Sequence, residues 1–500
     1  MKKKDFIYNI ITGFGGQFIV ILLGIIVPRI MITSYGSDIN GLVSTLGQIF
    51  TYLALLEAGI GQSARIALYK PIAKKDKEEI SKVFVAANSY FRKFSIFYAI
   101  GVIAIALFVP FTIKSKVDYL TILLITLLEG FSGVISFYFS QTQVVLLNAD
   151  GKGHVNNSIN LLNRILAYIA KVVLAYMGYS ILLIQFVYFI ITVIKAIFYY
   201  RYFKKNYSWI DNSLKSDNTL LKDKNSYLIT EIAWTVFSST DMIVLSMFVS
   251  TKLSSVYSVY AMIYSALNTL LTSVSGSILY VLGQVYHESI EKYRIVHDSF
   301  NTVFIGSITI LVSTAYMLTV PFLKLYTRGV TDVDYIQPEL PIMFCLVQIL
   351  SWNRYVTGNL TAIAGYAKQT SVISIIEAMV NLICSVVLVN YYGIVGVLFA
   401  TVIALPVKVI WCLYISDIKV LKRSLWKSLS IFGVNYLLFF AVVYATRFIP
   451  LEIDSYISFI QYGAVLTVII GLIGIILNII VNKECVSVVR RYSKKQKEKI

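Results

Sequence analysis

Read along the chain, apolar residues run in blocks of 20 or more, separated by short polar interruptions. Fourteen such blocks stand near 10–33, 41–64, 84–111, 119–147, 157–177, 181–200, 227–249, 255–284, 300–323, 338–363, 371–390, 394–415, 428–447 and 457–481. A helix needs about 20 apolar residues to cross the hydrocarbon. A barrel strand needs about ten with strict alternation. The blocks are too long and too uniformly apolar for strands. The pattern predicts an all-α polytopic membrane protein with about 14 transmembrane helices. The first block lacks a small-residue cleavage site and is long for a signal-peptide core, so it reads as a retained span.

Composition agrees with the pattern. Of 500 residues, 57% are hydrophobic and only 14% charged, with a mean hydropathy of +0.74. Too few polar residues remain to coat several soluble domains, which excludes a soluble enzyme, a disordered chain and a secreted disulfide scaffold. The four cysteines, Cys345, Cys384, Cys412 and Cys485, form no CxxC pair, so neither a disulfide framework nor a zinc site is expected.

The net charge of +18 would suggest nucleic acid in a soluble protein, but here it follows topology. Alternate loops and termini, including Lys2–Lys4, the 69–82 loop, the 201–226 stretch and the tail, hold 29 Lys and Arg. The opposite loops hold six: Lys114, Lys116, Lys252, Lys324, Arg328 and Arg447. Basic residues collect on the cytoplasmic side. Both termini are therefore expected inside, and no nucleic-acid partner is expected.

The 201–226 stretch is the longest polar segment between spans and has six spans before it. Landmarks on its two sides match at an offset near 214: Val172–Leu174 with Val386–Leu388, and Gly151 with Gly365. The expected organisation is a six-helix lobe (1–200), a basic cytoplasmic linker (201–226) and a second six-helix lobe (227–420). Two extra helices (421–482) and a basic tail (483–500) complete it. An even number of spans per copy makes this a parallel repeat. Transporters so built hold substrate between the two bundles and rock them for alternating access.

Charges inside spans are costly, about 2.5–3.5 kcal/mol each on insertion scales, and usually face a cavity or a partner. The candidates are Arg29, Glu57, Arg65, Glu129, Arg164, Lys171, Lys195, Glu231, Asp241, Arg354, Glu377 and Lys408. Arg65, Lys195 and Lys408 lie near span ends, where long side chains can reach the interface. Arg29, Lys171 and Arg354 either line an anion-accepting cavity or pair with an acid. Glu57, Glu231, Asp241 and Glu377 either pair with these cations or carry a coupling ion. The chain has 36 Tyr against 5 Trp, which suits interfacial belts and helix packing. A sharper reading stacks sugar rings on Tyr257, Tyr260 and Tyr264, whose spacing places them on one helix face. No phosphate-binding GxxxxGK[ST] loop, metal spacing or acid/base constellation in an outside loop is present. Catalysis, cofactors and metals are not expected.

The stretch Val27-Pro28-Arg29 … Tyr35-Gly36 … Asn40-Gly41-Leu42 … Leu56-Glu57-Ala58-Gly59-Ile60-Gly61 … Lys70-Pro71-Ile72-Ala73 resembles the polysaccharide-transporter (Wzx-type) flippases. So do Ser239-Thr240-Asp241, Val256-Tyr257-Ser258 and the Asn148-Ala149-Asp150-Gly151 turn. The resemblance implies the multidrug/oligosaccharidyl-lipid/polysaccharide exporter fold, with two six-helix lobes around a cationic cavity. It implies movement of undecaprenyl-pyrophosphate-linked oligosaccharides across the bacterial plasma membrane, beside membrane lipid, a polysaccharide polymerase and glycosyltransferases. Arginines would hold the pyrophosphate, with tyrosines on sugar. Binding residues would be Arg29, Arg65, Lys171, Arg354, Tyr257, Tyr260 and Tyr264. Glu57, Glu231, Asp241 and Glu377 would couple an ion or pair charge. A lipid II flippase and a drug/cation antiporter of the same fold stay as alternatives, with a membrane glycosyltransferase or polymerase behind them. Against lobe symmetry, Tyr35-Gly36 has no glycine counterpart near Ser250-Thr251.

Overall fold

The structure, a computed structural model, describes residues 3–214, 224–449 and 451–488. The chain is a multi-pass, all-helical membrane protein. No strand occurs among the described residues, and nine helices there are long and apolar enough to cross a membrane. The helices are α1 (Lys3–Lys74), α2 (Lys77–Thr112), α3 (Tyr119–Phe139), α4 (Gln141–Ala149), α5 (Gly153–Tyr176), α6 (Ile181–Asn206) and α7 (Lys224–Phe248). They continue as α8 (Thr251–Glu288), α9 (Ile290–Tyr326), α10 (Glu339–Asn353), α11 (Tyr355–Ile363), α12 (Ala367–Leu413), α13 (Trp426–Ala445) and α14 (Tyr456–Val481). A π-helical turn, Tyr414–Val420, follows α12. The predicted linker and tail run in part through 215–223 and 489–500, outside the described residues.

Two long helices contain a turn. Gly36 in α1 has φ 83° and Gly393 in α12 has φ 54°, a region glycine enters without the Cβ penalty. Each stands where one apolar block gives way to the next. Conversely, α3 breaks into α4 at Ser140 and α10 breaks into α11 at Arg354, each inside a single apolar block. Splitting the two bent helices and joining the two broken ones returns fourteen long segments among the described residues. The breaks recur 214 residues apart, and each leads into a nine-residue helix. Each short helix then ends at a glycine of positive φ, Gly151 (74°) or Gly365 (87°). The offset read from Val, Leu and Gly landmarks thus reappears as a repeated backbone device.

Helix starts are set by short polar side chains that accept from amides left free in the first turn. Asp76 accepts from the Glu79 amide at 3.0 Å, Asp118 from Thr121 at 2.9 Å and Ser455 from Ser458 at 3.1 Å. At the end of α6, the Tyr207 hydroxyl donates to Asp150 at 2.6 Å and accepts from Lys152 at 3.1 Å, pinning the turn around Gly151. Burial and the Asp150 carboxylate both push the Tyr207 phenol up.

The chain forms two compact units, residues 1–258 and 259–500. In the first, Leu42, Leu46, Phe50, Phe94, Tyr98, Val102 and Ile125 make one core between α1, α2 and α3. A second forms from Ala64, Leu68, Phe84, Phe91, Tyr199 and Phe203. In the second unit α13 and α14 pack on α9, around Met317, Leu438 and Ile470. Asn435 and Asn478 exchange side-chain hydrogen bonds at 2.9 and 3.1 Å between α13 and α14. Interhelical polar pairs in membranes contribute about 0.6–1.7 kcal/mol. Asn435→Leu is therefore expected to lower stability by about 1 kcal/mol, read as a small drop in melting temperature in detergent.

Candidate functional site

Three arrangements carry charge or polar groups into the helices. The first lies inside the first unit, between α3, α5 and α6. On α5 the residues Asn156, Asn160, Arg164, Tyr168 and Lys171 recur every three or four positions and form one polar stripe. Across from it, the Tyr199 hydroxyl donates to Asn156 at 2.6 Å, and Lys171 Nζ lies 5.0 Å from the centre of the Tyr188 ring. Glu129 of α3 and Lys171 of α5 face each other electrostatically, while Glu129 Oε2 is buried without a hydrogen-bond partner. Ammonium over an aromatic face is attractive and is strengthened by desolvation. Lys171, Glu129 and Tyr188 thus form one ionisable cluster in the span region. Glu129 brings an acid to a lysine chosen for a cavity, so the two readings of Lys171 meet at one place.

The second arrangement is a polar seam, also in the first unit. It joins the part of α1 beyond Gly36 to α7 and the first turns of α8. Asp38 is its hub: it accepts from the Ser115 hydroxyl at 3.0 Å, the Lys116 amide at 2.7 Å and the Thr251 hydroxyl. Asn40 donates to Ser255 at 2.8 Å, Thr45 and Ser246 share a hydrogen bond of 2.6 Å, and Tyr52 bonds Thr240. Backbone bonds join the loop after α2 to the α7–α8 turn, Lys114 to Ser246 at 2.8 Å and Thr251 to Lys114 at 3.1 Å. Gly41 lets the two helices approach. A Cβ there would stand inside the van der Waals shell of the Thr251 carbonyl oxygen, with the Ser255 amide nitrogen at 2.9 Å.

The third lies in the second unit. At the break between α10 and α11, Arg354 Nη1 donates to Glu377 Oε1 on α12. Lys408, also on α12, adds a second positive charge facing Glu377. The Arg354 and Glu377 side chains are 10% and 3% exposed, so the pair is well removed from water. Near the α12–α13 connection Arg423 forks onto Asp298, with both bonds at 2.6 Å, and reaches Asp417 at 2.7 Å.

The remaining candidates fall as follows. Arg29 is half-buried on α1, one residue past Pro28, and has interactions of its own. Arg65 is half-buried, and its Nε is buried without a hydrogen-bond partner. Glu57 accepts from Gln141 at 2.9 Å. Asp241 accepts from the Tyr257 hydroxyl at 2.8 Å. Tyr260 and Tyr264 are fully buried in the second unit. Both rings stack on Phe344, with centroids 5.7 and 5.2 Å away. The Tyr260 hydroxyl donates to the Tyr335 carbonyl at 2.9 Å, and that of Tyr264 meets Thr319, Pro341 and Cys345. Their common helix face is real, and it is packed. Glu231 belongs to α7, but its side chain lies outside the described ones. Arg92, absent from the candidates drawn from the spans, stands inside the 84–111 block and lies 5.2 Å over the Tyr138 ring. Its charge within an apolar block was the available signal. No group of three or more metal-ligating side chains occurs among the described residues.

No family model matches the chain, and no curated protein matches it either. Its fold is that of solved membrane transporters. A lipid II flippase MurJ in an inward closed conformation superposes with a TM-score of 0.70 at 17% identity, over 93% of this chain and 98% of that one. An inward-facing multidrug-resistance MATE family transporter of the MOP superfamily gives 0.66 at 15% identity, covering 85% and 95%. The MATE multidrug transporter DinF-BH, solved as a ligand complex, gives 0.61 at 16% identity, covering 85% and 98%. The chain therefore has the fold shared by MurJ and the MATE transporters.

Proposed function

We propose that this protein is a flippase rather than an enzyme, moving undecaprenyl-pyrophosphate-linked oligosaccharides across the bacterial plasma membrane by alternating access. The carrying observation is the charge balance within the spans of the first unit. Arg29, Arg65, Arg92, Lys93, Arg164, Lys171 and Lys195 stand there against Glu57, Glu129, Glu231 and Asp241, and Glu57 and Asp241 are already bonded by Gln141 and Tyr257. Cations in excess of acids within the spans favour an anionic cargo over a cationic drug. In this reading Arg29, Arg65 and Lys171 attract the diphosphate, and Glu129 stays with Lys171 until the cargo arrives. Arg354 acts through its pair with Glu377. The basic loops favour cytoplasmic termini, and in that orientation the Asp38 seam lies on the outer side.

The test is flipping of fluorescent undecaprenyl-diphosphate glycans in proteoliposomes, with and without proton and sodium gradients. Wild-type protein is expected to move the lipid, with Lys171→Ala and Arg29→Ala each at least tenfold slower. A wild-type protein that moves no such lipid under any gradient, or that instead exports a cationic dye, overturns the reading.

A further inference from the structure

The connection between α12 and α13, in the second unit, carries charge that the cargo does not use. Lys422 stands in it at φ 48°, a left-handed conformation that a residue with a Cβ keeps only where its surroundings fix it. The fixing groups lie on either side. The Leu421 amide donates to the Ser416 carbonyl at 2.8 Å and the Arg423 amide to the Asp417 carbonyl at 2.9 Å. Arg294 of α9 donates to the Leu421 carbonyl at 2.5 Å, and Asp298 and Asp417 hold the Arg423 guanidinium. Two guanidiniums and two carboxylates cancel in charge, so the remaining cations set the field at this surface.

Those cations are Lys419, Lys422 and Lys427. Lys419 and Lys422 are exposed and Lys427 is half-buried, and no described acid pairs with any of them. Lys419 Nζ lies 5.6 Å from the centre of the Tyr414 ring, which holds the ammonium against an aromatic face. Trp426, next to Lys427, is 75% exposed. Depth says what it meets. Trp426 opens the span Trp426–Ala445, whose length of about 30 Å matches the hydrocarbon. The indole therefore stands at the headgroup boundary, where such rings collect, with all three lysines close to it in sequence. An acidic protein suits the charge but not an exposed indole at that depth, whereas an anionic phospholipid suits both. We propose that Lys419, Lys422, Lys427 and Trp426 form a docking site for the anionic headgroup of a glycerophospholipid, on a turn held by the Arg423 fork. In the orientation that the basic loops favour, this is a lipid of the inner leaflet. The site is independent of the cargo and of the flippase reading.

The experiment places the full-length protein in nanodiscs of mixed phosphatidylcholine and phosphatidylglycerol, with bromine in the upper acyl chains of one lipid or the other. Bromine quenches nearby tryptophan, and subtracting the signal of Trp426→Phe isolates the lipid at Trp426. Phosphatidylglycerol is expected to occupy that position about fivefold more readily than phosphatidylcholine, the preference that one lysine near an anionic surface supplies. Replacing Lys419, Lys422 and Lys427 together by Gln should bring the ratio to about one, and replacing all three by Arg should preserve it. Lys422→Gly removes one charge yet suits the positive φ. Its ratio should fall about twofold while its melting temperature holds or rises, which separates the charge from the fold. A ratio near one in wild type overturns the proposal, and is what an acidic protein partner at this surface would leave. A preference that survives the triple Gln variant, with an unchanged melting temperature, also overturns it, because the charge that selects the lipid then lies elsewhere.

Discussion

Glu377→Ala is expected to cost the folded protein about 3–5 kcal/mol, the range for removing one partner of a buried ion pair. Arg354→Ala should cost less. The asymmetry comes from Lys408, which also faces Glu377. Removing Arg354 leaves the carboxylate with a second cation, whereas removing Glu377 leaves Arg354 and Lys408 with no acid between them. The double variant should therefore be more stable than the sum of the single losses predicts, a coupling that a double-mutant cycle isolates. The measurement is thermal unfolding of the purified protein in detergent for wild type, both single variants and the pair. If Arg354 serves the cargo alone, Arg354→Ala melts like wild type and only transport falls. Equal melting temperatures for all four proteins would remove the ion pair from the account of the fold.

That pair also shows where sequence reasoning stops. Arg354 and Glu377 were both conspicuous as charges in apolar blocks, because insertion into hydrocarbon makes any such charge unusual. Their partnership depends on the helix breaking at Arg354 and on α12 folding back beside α10. Hydropathy does not record a break inside an apolar run. The same holds for Ser140, whose interruption of α3 was invisible until the two breaks appeared 214 residues apart. Span positions were legible because about 20 apolar residues in a row have few other uses. Tyr260 and Tyr264 mark the opposite limit. Their spacing gives a common face, but lumen and core look alike along one helix, and Phe344 decides which it is. Glu129 and Lys171 were each visible alone, and only the packing of α3 and α5 with α6 makes them a cluster. Gly41 was visible as part of a family-like stretch without a physical reason. The reason is the backbone of α8.

Gly41→Ala is expected to open the seam. The atoms that a Cβ would meet are the Thr251 carbonyl and the Ser255 amide, main-chain groups inside a helix that cannot rotate aside as a side chain would. α1 must move away from α8 and from α7, which a short turn joins to it, and the Asp38–Thr251, Asn40–Ser255 and Thr45–Ser246 hydrogen bonds lengthen together. Three interhelical bonds at about 0.6–1.7 kcal/mol each place the loss at roughly 2–5 kcal/mol of closure energy, enough to shift a balanced two-state protein almost entirely to one side. Gly47 supplies the control, since a Cβ on it meets nothing within 4 Å and alanine is the better helix former. With cysteines at 40 and 255 in a background where Cys345, Cys384, Cys412 and Cys485 are serine, a disulfide should form readily beside Gly41 and beside Gly47→Ala. It should form at least tenfold more slowly beside Gly41→Ala, and glycolipid flipping should fall in the same variant. Equal cross-linking in all three proteins would mean that the approach at Gly41 does not hold the seam, and that Asp38 closes this end without it.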